Sequence, residues 1–173
     1  DLFHALRFAF LILTQQKELY VLHSASFLYR GRAFLVSGSS GTGKSTHSAL
    51  WHDLYQTPLL NGDLNLLGIR NSIPYAYGLP WCGTSGICTP KDYPLGGIIF
   101  LKQAAIDQVQ SLQPDEKVLH ILQRMISPAW TKELLLRNLH FSEALAPLIF
   151  SCRLYCTKEP SAARTLKAAI DAL

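Results

Sequence analysis

A chain of 173 residues with a formal net charge of +4 can bury about two thirds of its unfolded surface in one core, which points to a single domain over residues 1–173. The sixteen lysines and arginines form no run longer than two, and so small and scattered a charge gives no argument for nucleic-acid binding; an anionic small ligand is enough to explain the balance. Charged residues are 16% of the chain against ~25% in soluble domains, so part of the surface is expected to lie under a partner, another subunit or a further segment.

From the start, Leu2, Phe3, Leu6, Phe10 and Leu13 recur at helical spacing and predict a packed amphipathic helix. The apolar stretch over residues 8–13 is far short of the ~20 residues a membrane span needs. Neither a basic leader nor a small-residue cleavage site is clear.

Two β-prone runs follow, Tyr20 to Tyr29 and Arg32 to Ser37, separated by Arg30-Gly31, and they read as a hairpin. If Arg30-Gly31 centres the turn, Tyr29 faces Arg32 and the pairing runs back until His23 faces Gly38. The second run ends in Gly38-Ser39-Ser40-Gly41-Thr42-Gly43-Lys44-Ser45-Thr46, which fits G-x-x-x-x-G-K-S/T after a buried strand and before a helix, the context a phosphate-binding loop requires. Gly38, Gly41 and Gly43 let successive backbone N–H groups converge on phosphate oxygens. Lys44 adds a point charge, and a helix starting near it adds unpaired donors and its dipole. The Ser45 hydroxyl stands where a phosphate-bound Mg²⁺ needs an oxygen. In the ordinary mononucleotide fold the loop strand lies parallel to its neighbours; here a hairpin makes one neighbour antiparallel. His23 is thereby expected at the mouth of the loop, the alternative being a core histidine satisfied by backbone.

After the loop, a helix from Ser45 to about Leu54 ends at Gln56-Thr57-Pro58, with His47 and His52 as packing or solvated residues. Asp63 closes the apolar run Leu59-Leu60-Asn61-Gly62-Asp63 and is the first carboxylate to do so after that helix. Nucleotide chemistry needs such a group beside the metal; the alternative is a turn aspartate. Leu64 to Ile69 reads as a strand, and the buried strand Gly97 to Leu101 ends in Lys102 rather than in an acid. Between them, Tyr75 to Gly86 is a strand running into a loop of proline, glycine and hydroxyl residues. It either recognises an acceptor or forms a hydrogen-bonded turn over a buried Trp81.

The last third predicts helices over 115–125 and 129–145, a strand over 154–157, and a closing helix to Ala172 capped by Ser161. Arg124, Arg137 and Arg153 are candidates to reach a phosphate or plain surface residues. Cys82, Cys88, Cys152 and Cys156 show no C-x-x-C pair and no histidine at zinc-finger spacing, which argues for free thiols over a structural metal.

Four stretches together resemble the catalytic domain of HPr kinase/phosphorylase and the ATP-dependent phosphoenolpyruvate carboxykinases: Leu22-His23-Ser24-Ala25-Ser26, the loop from Gly38 to Ser45, Asn61-Gly62-Asp63, and Tyr77-Gly78-Leu79-Pro80-Trp81-Cys82-Gly83. The chain looks closest to small HPr-kinase-related proteins that accompany peptide-modifying enzymes. The resemblance implies a mixed, strongly curved α/β sheet with helices packed on it. It also implies ATP and Mg²⁺ as cofactors, and transfer of the γ-phosphate to a hydroxyl of a peptide, protein or small molecule. Relatives carry two adjacent acids where this chain has Gly62 and Asp63, and the resemblance implies that the pair binds metal and accepts the proton. With Gly62 in the first place, Asp63 covers both duties, or His23 takes the proton, or transfer is weak and the chain is an ATP-binding module. A small-metabolite kinase of the ordinary phosphate-loop type fits the length but not the hairpin. A cytoplasmic nucleotide pool is expected, with no nucleic-acid or membrane partner, and self-association is open because HPr-kinase relatives form hexamers.

Overall fold

A computed structural model describes residues 2–81 and 83–173; the expectations for Cys82, and for the side chains of Phe3 and Thr84, lie outside them. The elements run α1 (Leu2–Gln16), β1 (Tyr20–Tyr29), β2 (Arg32–Ser37), α2 (Lys44–Tyr55), β3 (Leu59–Asn61), β4 (Leu64–Arg70), β5 (Ile73–Tyr77), β6 (Tyr93–Gln103), β7 (Gln108–Ser111), α3 (Pro114–Arg124), α4 (Lys132–Leu145), β8 (Phe150–Cys156) and α5 (Pro160–Asp171). The fold is a mixed α/β sheet with helices packed on it.

The hairpin has the register its sequence predicts. Tyr29 pairs with Arg32 and Ser24 with Ser37, so His23 lies one step further along, opposite Gly38. β1 is long enough to serve two sheets: Tyr20–His23 pair with β4, while Ser24–Tyr29 pair with β2. β6 does the same, pairing antiparallel with β5 at Tyr93 and Pro94 and parallel with β2 and β8 further on. Strands β2, β1, β4, β5 and β6 therefore close on themselves, with β8 and β7 continuing from β6, and closure obliges the sheet to curl. The loop strand β2 thus has one antiparallel neighbour, as the hairpin requires, and one parallel neighbour, β6, which the sequence does not announce.

Parallel strands covered on both faces read as continuous apolar runs, and β2 and β6 do so because alternate residues feed different cores. Leu35, Ile98 and Phe100 pack with Leu67, Ile121 and Leu145 on one side. Phe34, Val36, Ile99 and Leu101 pack with Trp51, Leu154 and Leu166 on the other, under α2 and α5. Between these layers the phosphate loop leaves the C-terminal end of β2.

Three local expectations change. Leu2, Leu6 and Leu13 of α1 are exposed, and the helix is held instead by Phe10 against Trp81, 4.4 Å between ring centroids, and by buried Gln15, which donates to Asn138 Oδ1 at 2.7 Å. The predicted helix over 129–145 begins at Lys132, where the Thr131 side chain accepts from Leu134 N. Ser161 is not the cap of α5: Glu159 occupies that position and Pro160 opens the helix, while the Ser161 hydroxyl donates to Asp107 Oδ2 at 2.5 Å.

Candidate active site

The phosphate loop occupies Gly38–Gly43, and α2 starts at Lys44, as expected. Gly41 and Gly43 have φ of +77° and +99°, which a side chain would strain. Gly43 stands at the N-cap of α2 and brings no side chain to it, so the first-turn amides of Lys44, Ser45 and Thr46 meet no capping oxygen and stay available to an anion. The loop is braced within itself, Thr42 Oγ1 donating to Ser39 O at 2.8 Å, and from outside, Gln103 Nε2 donating to Gly41 O at 3.0 Å and Arg124 Nη2 to Ser39 Oγ at 3.2 Å. Lys44 Nζ rests on the carbonyls of Gly38 and Ser39, both at 3.2 Å.

His23 and Asp63 meet at the loop's inner mouth, Nε2 to Oδ1 at 3.4 Å, with both side chains partly open to solvent. Ser37 Oγ donates to His23 O at 2.8 Å and ties the end of β2 to β1, and Ser24 N donates to Asp63 O at 3.0 Å and brings the turn of Asp63 alongside β1. Burial holds His23 below the ordinary histidine value of 6.5, helped by the nearby charges of Lys44, Arg124 and Arg7, against which Asp63 works. At neutral pH the imidazole is therefore neutral, its contact with Asp63 is not an ion pair, and it has a lone pair to offer. Lys44 is likewise pushed down by burial and by Arg124, with Asp63 opposing.

Beneath this pair lies a buried polar network absent from the sequence reading. Asn65 Nδ2 donates to Ser24 O at 2.7 Å and Ser24 Oγ at 2.9 Å, and Ser26 Oγ donates to Asn65 Oδ1 at 2.7 Å. Asn61 N donates to Ser26 Oγ at 3.1 Å, while Asn61 Oδ1 accepts from Asp63 N at 2.9 Å and Leu64 N at 3.1 Å. Asn61 Nδ2 reaches Trp81 O at 2.9 Å, and Gly62 N donates to Ile87 O at 3.3 Å, so the loop after β5 is sewn to the turn of Asp63. Ser24 and Ser26 interrupt an apolar strand at alternate positions, and buried hydroxyls need partners; that was the available signal. Gly83, at φ +58°, backs directly onto Asp63: a Cβ there would lie 2.7 Å from Asp63 Cβ.

On the loop's other flank a cavity of about 520 Å³ is lined by Gly38–Thr42, Phe100–Gln103, His120, Arg124 and Arg153. Of the three arginines considered from sequence, the structure brings Arg124 and Arg153 to this cavity. Arg137 lies elsewhere, bonded to Glu133 at 3.0 Å. His47 is buried in packing, accepting from Trp51 Nε1 at 3.3 Å, and burial pushes it down to about 4; His52 is exposed, with Nδ1 at 3.0 Å from Thr57 O. Cys152 and Cys156 are free and buried. Among the described residues no group of three or more His, Cys, Asp or Glu stands ready to hold a metal, and no helix is long and apolar enough to cross a membrane. Ser45 at the start of α2 and Asp63 in the turn after β3 are the oxygen donors expected from the sequence. A site so sparing in protein oxygens suits an ion that keeps most of its waters and phosphate oxygens, as Mg²⁺ does.

No protein-family profile matches the chain, and a search of curated proteins finds no match. Among solved structures, the chain is similar to the HPr(Ser) kinase/phosphatase from Coxiella burnetii, at 9% identity and a TM-score of 0.45, over 88% of this chain and 93% of that one.

Proposed function

We propose that the chain is an ATP-dependent phosphotransferase that moves the γ-phosphate to a hydroxyl group on a peptide, protein or small molecule, within one domain and in the cytoplasm. The observation that carries this reading is the placement of a neutral His23 and the Asp63 carboxylate, 3.4 Å apart, at the mouth of an uncapped phosphate loop.

In this reading the amides of Gly38–Thr46 and the Lys44 ammonium hold the β- and γ-phosphates. Lys44 leaves the carbonyls of Gly38 and Ser39 to do so. Ser45 and Asp63 would hold Mg²⁺, which supplies charge neutralisation on the transferring group when bound. Asp63, or His23 beside it, takes the proton from the acceptor hydroxyl. Its oxygen then bonds to the γ-phosphorus as the bond to the β–γ bridging oxygen breaks, and ADP departs with those electrons. Such chemistry depends on positioning and charge stabilisation, which is why a braced loop and a buried network under the acid–base pair support it.

Gly62 favours a second reading, an ATP-binding module with little or no transfer. Titration with Mg–ATP separates both readings from neither: they require binding, and Lys44→Ala weakens it by about tenfold or more, one charge-assisted contact. Equal binding by wild type and Lys44→Ala would contradict the assignment of the loop.

A further inference from the structure

The cavity beside the loop carries three cations from three separate elements. Lys102 comes from the end of β6, Arg124 from the last turn of α3 and Arg153 from the middle of β8. Among the described residues no carboxylate lines it. Gathering like charges around one hollow is unfavourable unless an anion enters.

Arg153 is held in place for such a role. Its Nη1 donates to Gln110 Oε1 at 3.1 Å and its Nη2 lies 2.6 Å from His120 Nε2. Guanidinium has only donors, so that imidazole nitrogen accepts, and His120 stands neutral. Glu116, 3.8 Å from Arg153, uses its other oxygen to accept from Gln113 N at 2.9 Å and caps α3. Lys102 is exposed, with its ammonium 5.4 Å from the centre of the half-buried Tyr155 ring, a weak partner.

The nucleotide does not account for this charge. Lys44, the loop amides and the start of α2 already answer the phosphates, and Arg124 braces Ser39. Nor does the hollow suit a base: nucleotide bases favour apolar and aromatic walls, and here the Phe100 ring is already packed against His120, 5.0 Å between centroids. The cavity also adjoins the acid–base pair: Gly38 in its lining stands opposite His23 in the hairpin register, and the bridge between Leu22 and Met125 sets the end of α3, with Arg124, beside β1.

We infer that the phosphate acceptor is itself an anion, and that its carboxylate or phosphate group seats on Lys102 and Arg153 while its hydroxyl faces Asp63. This rests on the phosphotransferase reading.

The test is a calorimetric titration of the full chain, saturated with Mg²⁺ and a non-hydrolysable ATP analogue, with inorganic phosphate and separately with malonate. Binding of either one, weakened about tenfold in Arg153→Gln and in Lys102→Gln with analogue affinity unchanged, is the expected result. Phosphate alone or malonate alone identifies which anionic group the acceptor carries. Lys102→Gln changes an exposed side chain, so it still reports if Arg153→Gln fails to fold. Analogue binding with no response to either anion overturns this inference alone. Analogue affinity falling in step with the two substitutions also overturns it, because the cavity would then belong to the nucleotide. A wild type that binds no analogue removes the phosphotransferase reading, and this inference with it.

Discussion

The two flanks of the phosphate loop are built in opposite ways. On the inner flank, one carboxylate and one imidazole stand over a buried network in which Ser24, Ser26, Asn61 and Asn65 bond to one another and to the backbone. On the outer flank, Lys102, Arg124 and Arg153 line an open hollow. In the proposed reading the first arrangement fixes a proton acceptor with little freedom; the second presents charge and leaves room. That division is what a group-transfer site needs: rigidity where the proton moves, and space with a matching field where a substrate must enter.

The contrast can be broken most severely at Asp63. Asp63→Asn removes the inner flank's carboxylate and is expected to lower transfer by about a thousandfold, within the usual range for a general base. Single-turnover rates measure it, and a variant within a few-fold of wild type would shift the proton to His23.

His47, buried on α2 beside Trp51, tests the packing under the helix that follows the loop. Its folded value of about 4 lies below the ordinary 6.5, so the unfolded chain takes up a proton that buried His47 refuses. Stability is complete above pH 6.5 and is lost as pH falls towards 4, by up to about 3 kcal/mol. Asp107 is the opposing charge. Urea unfolding at pH 7.5 and 4.5 should show this loss in wild type and a much smaller one in His47→Gln.

His23 sharpens the inner flank. Because burial, then Lys44, hold it below 6.5, it is neutral at pH 7, and the acid limb of the rate profile should fall below pH 6.5. His23→Gln should cost up to about a hundredfold and remove or move that limb; an unchanged profile would leave His23 as a packing residue.

The smallest expected effect is at Gly83. A methyl there strains a backbone at φ +58° and pushes on Asp63 from 2.7 Å, so Gly83→Ala should slow transfer by about tenfold through misplacement, as single-turnover rates would show.

The sequence carries the inner flank better than the outer. Hairpin register follows from Arg30-Gly31 and the lengths of two adjacent strands, so His23 is placed opposite Gly38 by local geometry alone, and the loop motif specifies its own strand and helix. The outer flank depends on pairings between distant residues: β6 beside β2 places Lys102 at the loop, and β8 beside β6 places Arg153 there. Nothing local in Arg124, Arg137 or Arg153 says which two converge. The polar network was half legible, because two serines inside an apolar strand demand partners, but Asn61 and Asn65 as those partners come only from β1 pairing with β3 and β4. Helix α1 misled through its periodicity: spacing marks an apolar stripe without saying whether that stripe meets this chain, and Leu2, Leu6 and Leu13 do not.

The most direct measurement is transfer of label from γ-labelled ATP, with Mg²⁺, to a panel of hydroxyl-bearing peptides, proteins and metabolites, acidic and neutral members of similar size side by side. Label on an acceptor that carries its own carboxylate or phosphate, lost in Asp63→Asn, is the predicted result. Tight ATP binding with no label on any acceptor would contradict it and leave Gly62 as the mark of a binding module.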